Sequence, residues 1–200
     1  MLVLSPRAVE RLESYTPERP LPKIFRLTQK GKLTEGIFQG ETINTPSMLA
    51  VEDCADALRW VDSIGGLKAT VKRSTDNFNA INDWVAKTDW IDFLPTEPTS
   101  RSRTSICLKI VDPEIAALDE EAAQAFIKDV VKKLDKENVA RDMASYKTAP
   151  AGFRIWGGAT IEASDLKILT EWLEWAYFET RAAMTQKAAY LRSFCLLCRT

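Results

Sequence analysis

Apolar side chains recur at helical spacing in five stretches of the chain, and most of these stretches follow a residue that can cap or start a helix. The predicted helices begin near Ser5, Ser47, Gly66, Glu120 and Ser164. Each apolar stripe is more typical of a core-facing surface than of a cofactor site. The stripe of the second helix comprises Val51, Cys54, Leu58 and Val61, and that of the third comprises Leu67, Val71, Phe78, Ile81 and Val85. Gly65 and Gly66 lie between these two helices and predict a left-handed stop there.

Between the helices, apolar and polar residues alternate with period two, as expected of half-buried strands. Short strands are predicted at 91–93, 106–110, 139–143 and 153–156, and a buried strand is predicted at 1–4. Residues 16–36 contain several prolines and glycines and predict a long loop. Strands that alternate with helices on this scale predict an α/β fold, with a small α/β sandwich in the second part of the chain.

We predict three segments along the chain. Residues 1–65 form a remnant of a larger domain, residues 66–184 form a small α/β domain that can fold alone, and residues 185–200 form a tail. The chain opens on an apolar strand without a polar lead-in, which predicts that an N-terminal half is missing. Cys195 and Cys198 in the tail have half of a zinc-ribbon spacing, but no second pair and no histidine accompany them, so we predict no metal site.

Composition narrows the classes of function. Lys and Arg number 27 and Asp and Glu number 28, so no overall field attracts nucleic acid or an anionic membrane. No apolar stretch approaches the ~20 residues that cross a bilayer, which makes the cytoplasm the expected location. The chain has no histidine. Catalytic sites that depend on histidine are therefore excluded, and proton transfer would fall to lysine, tyrosine or a carboxylate.

Candidate chemistry is concentrated at the start of the second helix. Asn44, Thr45 and Ser47 offer short polar side chains where the first helical N–H groups lack partners, and Pro46 suits a first helical turn. Such a segment can bind a phosphate, because donors and the helix N-terminus both favour an anion. The alternative is an ordinary helix cap.

Three separated segments carry the motifs of a known family: residues 1–12, residues 35–49 and residues 149–160, the last containing Gly152-Phe153-Arg154-Ile155-Trp156. Together they resemble phosphoserine aminotransferases, which are pyridoxal 5′-phosphate enzymes of fold type I. The resemblance covers Met1 to about Met184 and corresponds to the C-terminal half of such an enzyme. It implies a homodimer with shared active sites, the substrates glutamate and phosphoserine or 3-phosphohydroxypyruvate, and a place in serine biosynthesis.

The resemblance also implies roles for four residues. Asn44 and Thr45 would bind the cofactor phosphate of the other subunit, and Arg154 would bind the α-carboxylate of the substrate. Lys147 would help to bind the substrate phosphate. Two alternatives remain open here: Arg154 is a surface arginine paired with Glu162, or Lys147 is simply a solvated loop lysine.

The lysine that holds the cofactor in this family lies ahead of the segment that begins at Met1. Thr28-Gln29-Lys30 is superficially similar to its motif, but it lies in the wrong order along the chain. We therefore predict that the chain lacks this lysine and is inactive alone. Two other functions remain open: a related transaminase, such as one acting on alanine and glyoxylate, and a non-catalytic dimerising domain.

Overall fold

The chain forms two compact units, Met1–Arg59 and Trp60–Thr200. The computed structural model describes residues 3–144, 146 and 148–197, and residues 187–197 are described as backbone only. Among the described residues, no helix combines the length and the apolar character that crossing a membrane requires.

The first unit begins with helix α1, Pro6–Ser14, and contains a short hairpin. The side chain of Ser5 caps α1 by accepting a hydrogen bond from the Ala8 N–H at 3.2 Å, as its sequence predicts. The predicted strand at 1–4 is wrong for Val3 and Leu4, which are not in a strand, and Val3 is 90% exposed. Met1 and Leu2 lie outside the described residues.

Part of the predicted loop 16–36 is an antiparallel hairpin of strands β1, Thr28–Gln29, and β2, Lys32–Leu33. Two 3-10 turns, Lys23–Phe25 and Glu35–Gln39, flank it. The backbone reverses at Lys30 and Gly31, where φ is 51° and 75°. Positive φ at both turn positions gives the twist that a two-residue hairpin needs. The strands are too short to show alternation, so the sequence pattern missed them.

Helix α2, Met48–Ser63, starts at the predicted place but does not bury its apolar stripe. Ser47 is its cap, since the Ser47 Oγ accepts from the Ala50 N–H at 3.4 Å. No residue of α2 is buried, and the structure describes every residue of this helix. Val51 and Leu58 are 45% and 50% exposed. The prediction of a core stripe on this helix is therefore wrong for the described chain.

The second unit contains a three-stranded antiparallel sheet with strand order β3-β4-β5. Its elements are α3 (Gly66–Val85), β3 (Ile91–Phe93), β4 (Ser105–Ile110), α4 (Pro113–Ala116), α5 (Glu120–Lys136), β5 (Phe153–Trp156) and α6 (Ala163–Leu197). The predicted left-handed stop before α3 is confirmed by φ values of 108° at Gly65 and 70° at Gly66. The predicted strand 139–143 is wrong: all five residues are described and none lies in a strand, and the next residue, Ala144, forms an isolated bridge with Phe153 of β5.

One face of this sheet and helices α3, α5 and α6 enclose the core. Side chains that are less than 2% exposed include Ile106 and Leu108 from β4, Phe153 from β5, and Val130, Leu134, Leu173 and Tyr177 from the helices. The first two predicted core positions of α3 are exposed instead, with Leu67 at 78% and Val71 at 54%. Burial on α3 begins only at Asn77, six residues after Val71.

The opposite face of the sheet is open. Side chains on this face include Asp92 from β3, Cys107 and Lys109 from β4, and Arg154 and Trp156 from β5. They are exposed or only half-buried, whereas their neighbours along each strand are mostly buried. The strict alternation of a sheet thus separates the core from a polar surface that includes Arg154.

A buried polar contact links the sheet to α6. Tyr177 Oη donates to the Asp112 carboxylate at 2.6 Å, and Asp112 also caps α4 by accepting from the Glu114 N–H at 2.8 Å. Arg181 Nε lies 3.1 Å from the same carboxylate. Burial raises the pKa of Asp112, but the hydrogen bonds from Tyr177 and the Glu114 N–H and the charge of Arg181 together outweigh burial and hold the pKa below its usual range. Burial and the hydrogen bond to Asp112 raise the pKa of Tyr177.

We expect Asp112→Asn to lower the free energy of unfolding by about 1–3 kcal/mol at neutral pH, because one donor loses its anionic acceptor. A lowered pKa in the folded state stabilises the fold above the ordinary carboxyl pKa, near pH ~4, and this contribution is lost as the pH falls through the folded value. Urea unfolding at pH 7 and pH 3 measures the effect. The difference between the two proteins should shrink at pH 3, while exposed Asp56→Asn should change little at either pH. An equal difference at both pH values would contradict the ionised role.

Candidate active site

Arg154 occupies the middle of β5 on the open face of the sheet, directly opposite Cys107 of β4. Strand β5 starts so close to β4 that a Cβ on Gly152 would come within 2.2 Å of the Leu108 carbonyl oxygen. Only glycine permits this approach. Local geometry therefore explains the Gly152-Phe153-Arg154 sequence. Glycine permits the close approach of the two strands, Phe153 packs in the core, and Arg154 lies on the opposite face of the sheet.

The guanidinium of Arg154 is held by two residues from the segment that precedes β5. Nη2 donates to Asp142 Oδ2 at 2.7 Å, and Nη1 donates to Tyr146 Oη at 3.2 Å. The guanidinium carbon also lies 4.4 Å from the centre of the Tyr146 ring, a cation–π distance. Nε is covered by protein and has no hydrogen-bond partner among the described residues. The side chain is 22% exposed, so Arg154 is partly desolvated but still reachable.

The alternative pairing of Arg154 with Glu162 is wrong. Glu162 pairs with Arg73 of α3, which also donates from Nε to the Ala159 carbonyl at 2.6 Å. Arg154 instead pairs with Asp142, at a separation of only 12 residues. Sequence reasoning missed this pair, because Asp142 lies in a segment that was predicted to be a strand.

Hydrogen bonds from the side chain of Asn77 hold the loop after β5, and the sequence pattern did not single out this residue. Asn77 is 1% exposed, and its Nδ2 donates to the carbonyls of Gly157, Gly158 and Ile161 at 3.2, 3.0 and 2.9 Å. A buried amide that serves three carbonyls holds a loop in one conformation. A polar residue at a buried helical position was the available signal, since Asn77 lies one turn before Ile81 on α3.

A cavity of about 320 Å³ lies beside Arg154. Its lining includes Asp142, Arg154, Trp156 and Asp165. Trp156 lies two residues after Arg154 on the same face of β5 and is 57% exposed. The cavity lining thus combines two arginines, Arg141 and Arg154, with exposed carboxylates and an aromatic ring, which suits a small polar ligand that carries a carboxylate.

Asn44 and Thr45 lie in the first unit, just before α2, and both are exposed. Neither side chain makes a hydrogen bond to any part of the chain that the structure describes. The cap of α2 is Ser47, so the interpretation of Asn44 and Thr45 as ordinary caps is not needed to explain the helix start. Pro46 lies outside the helix rather than in its first turn, because Ser47 is the cap and Met48 is the first helical residue.

Lys147, the predicted ligand of the substrate phosphate, lies outside the described residues. Its neighbour Tyr146 is described and contacts Arg154. Across residues 3–144, 146 and 148–197, no group of three or more Cys, Asp or Glu side chains is arranged to hold a metal ion.

Two curated proteins that are named phosphoserine aminotransferase match most of the chain. The proteins from Methanosarcina barkeri and Methanosarcina mazei are 52% and 54% identical over 177 residues, which is 88% of this chain. The chain spans only 45% of the length of each. No family model matches the chain.

Solved structures of phosphoserine aminotransferases match the fold. The enzyme from Bacillus circulans subsp. alkalophilus matches 68% of this chain with a TM-score of 0.56 and 16% identity, and the match covers 34% of that enzyme. A phosphoserine aminotransferase structure from work on radiation damage of the Schiff base matches 85% of this chain with a TM-score of 0.62 and 15% identity. That match covers 41% of the solved chain.

These similarities confirm the predicted α/β fold class and the resemblance on which it depended. The share of each relative that is matched agrees with the predicted C-terminal portion. Over 88% of its length, the chain therefore resembles phosphoserine aminotransferases, and the matched share fits a C-terminal portion of such proteins.

Proposed function

We propose that this chain is the C-terminal portion of a pyridoxal 5′-phosphate-dependent phosphoserine aminotransferase. The complete enzyme transfers an amino group between glutamate and 3-phosphohydroxypyruvate in serine biosynthesis, in the cytoplasm. The observation that carries the proposal is the partly buried Arg154 on the open sheet face, in a chain that is 52–54% identical to curated relatives of this name. The segments 1–65, 66–184 and 185–200 stay our proposed division of the chain.

Arg154 is the proposed ligand of the substrate α-carboxylate. A guanidinium can form two parallel hydrogen bonds with a carboxylate, which fixes the orientation of the bound amino acid. Correct orientation of the Cα–H bond lowers the barrier for its deprotonation, because less freedom is lost during the reaction. This role requires rigid support, and Arg154 lies on a paired strand. Gly152 permits the close approach of that strand, and Asn77 holds the loop after it.

Asn44 and Thr45 are the proposed ligands of the cofactor phosphate. An amide and a hydroxyl both donate to phosphate oxygens, and the two side chains are exposed beside a helix start whose cap is already supplied by Ser47. The donor set therefore fits this group. Bound pyridoxal 5′-phosphate supplies an electron sink for the exchange of the amino group. Lys147 is proposed to assist with the substrate phosphate through its positive charge.

We further propose that the complete enzyme is a homodimer in which Asn44 and Thr45 serve the site of the partner subunit. Four apolar side chains of α2 support this proposal, because another surface would cover them in the complete protein. Each is at least 45% exposed: Met48, Leu49, Val51 and Leu58. Several exposed apolar residues on one helix are typical of an interaction surface. The test is complementation between two impaired variants of the complete enzyme.

The experiment that tests the proposed function uses a composite enzyme, defined as this chain joined to the part of the Methanosarcina barkeri relative that it does not span. We expect this composite enzyme to transfer the amino group of phosphoserine to 2-oxoglutarate and to lose this activity with Arg154→Ala. A folded composite that binds the cofactor but transfers no amino group from phosphoserine or from alanine would support the non-catalytic interpretation instead. Transfer from alanine alone would support the related transaminase.

Purified alone, the chain should form no stoichiometric pyridoxyl-lysine, because we propose that the cofactor-holding lysine lies in the part that the chain does not span. The measurement is incubation with pyridoxal 5′-phosphate, removal of the excess, borohydride reduction and peptide mass spectrometry. The composite enzyme is the matched control and should show one labelled lysine in the joined part. Stoichiometric labelling of one of the 14 lysines of this chain would refute the prediction.

A further inference from the structure

We propose that Asp142 competes with the substrate carboxylate for Arg154 and thereby sets the affinity of the site for its amino-acid substrate. The inference rests on the proposed role of Arg154. It adds a residue that neither the family motifs nor the predicted site includes.

The first observation is the way in which the guanidinium is occupied. A carboxylate can bind an arginine with two parallel hydrogen bonds, either end-on to Nη1 and Nη2 or side-on to Nε and Nη2. Both arrangements require Nη2. Asp142 holds this atom with its carboxylate oxygen at 2.7 Å and approaches it with its main-chain oxygen at 3.5 Å. Nη2 has two N–H groups, and each bidentate arrangement uses one of them. Because Asp142 accepts from Nη2 with both its carboxylate oxygen and its main-chain oxygen, a substrate carboxylate must compete with Asp142 for this nitrogen.

The second observation is that the present arrangement is incomplete. Asp142 accepts only from Nη2 and Tyr146 only from Nη1, while Nε is covered and has no partner among the described residues. A covered donor without a partner raises the free energy of the closed arrangement. A carboxylate bound end-on would instead make two parallel hydrogen bonds, to Nη1 and Nη2. A substrate carboxylate can therefore exchange with Asp142 on Arg154.

The third observation is the low cost of releasing Asp142. Its side chain is 87% exposed, so water solvates the carboxylate as soon as it leaves Arg154. An ion pair with one partner this exposed contributes little to stability, whereas it still occupies the site. Asp142 also has a left-handed backbone, with φ of 54°, which asparagine and glycine adopt readily. Both residues can therefore replace Asp142 without new backbone strain.

The test measures binding of glutarate to the composite enzyme by isothermal titration calorimetry. Glutarate has two carboxylates and no amino group, so its binding reports the carboxylate contact without the transfer reaction. We expect Asp142→Asn and Asp142→Gly each to tighten glutarate binding about two- to fivefold, since the competing anion is removed. Asp76→Asn is the matched control, because it removes the same charge from a pair with Lys72 on α3. It should leave glutarate binding unchanged.

A second arm shows whether the effect passes through Arg154. In an Arg154→Ala background, Asp142→Asn should no longer change glutarate binding. If Arg154→Ala weakens glutarate binding but neither Asp142 variant tightens it, the proposal that Asp142 competes for Arg154 is wrong and the proposed role of Arg154 stands. If Arg154→Ala leaves binding unchanged, both are wrong. Tightening that persists without Arg154, or that Asp76→Asn reproduces, would show a general charge effect and overturn the competition.

Discussion

Arg154→Ala in the composite enzyme is expected to weaken glutamate binding by about 2–5 kcal/mol, the range for removing one partner of a desolvated charge pair. Arg154 is 22% exposed in the described chain, and bound substrate would cover it further. Binding of pyridoxal 5′-phosphate should barely change, because that cofactor is proposed to depend on residues elsewhere in the chain. Equilibrium titrations of both ligands measure the two affinities separately.

Arg154→Lys is the matched variant for this experiment. Lysine keeps the positive charge but lacks the fork that makes two parallel hydrogen bonds, so we expect a loss smaller than that of alanine but still clear. Thermal unfolding of the variants controls for damage to β5. Equal losses of glutamate and cofactor binding would show that Arg154 is structural and that its assignment to the carboxylate is wrong.

Asn44→Ala combined with Thr45→Ala is expected to lower affinity for pyridoxal 5′-phosphate far more than affinity for pyridoxal, which lacks the phosphate. Each lost hydrogen bond to the dianion should cost on the order of 1.5–3 kcal/mol. Ser47→Ala is the matched control, because Ser47 caps α2 and neighbours the pair. It should reduce stability by about 1 kcal/mol without a preference for the phosphate-bearing form.

The same double variant tests whether the two residues serve the partner subunit. Mixed with composite subunits whose cofactor-holding lysine is replaced, it should form heterodimers that contain one intact site and one site with both defects. Activity should then reappear in the mixture although each parent is impaired. If heterodimers form and no activity returns, Asn44 and Thr45 act within their own subunit or have no role in binding the phosphate.

Much of the second unit follows from local sequence signals. Helix α5 occupies Glu120–Lys136 as predicted, with Asp119 as its cap, Glu120 and Glu121 in its first turn, and lysines in its last. Strand β5 occupies Phe153–Trp156, also as predicted. Capping, helix-dipole charges and strict alternation involve neighbours within a few residues, so they are visible in the sequence. The family motifs likewise singled out Arg154, Asn44 and Thr45 as residues to test.

Contacts between distant segments were not visible in the sequence. The stripe of α2 has a core-like period, yet its residues are exposed, because periodicity shows that a face is apolar but not that another element covers it. The partners of Asn77 lie about 80 residues away, and the Tyr177–Asp112 hydrogen bond spans 65 residues. Such contacts depend on which elements pack together, and local spacing does not determine that.

The sequence by itself determined the types and approximate bounds of the main elements, the family resemblance and the placement of Arg154 on a strand. Tertiary structure alone decided which residue faces that arginine: Asp142, whose own backbone is left-handed, rather than Glu162, which pairs with Arg73. The reason is physical. A side chain's type and periodicity are encoded locally, whereas its partner is chosen by geometry that arises only when α3, β5 and the loops around them pack together.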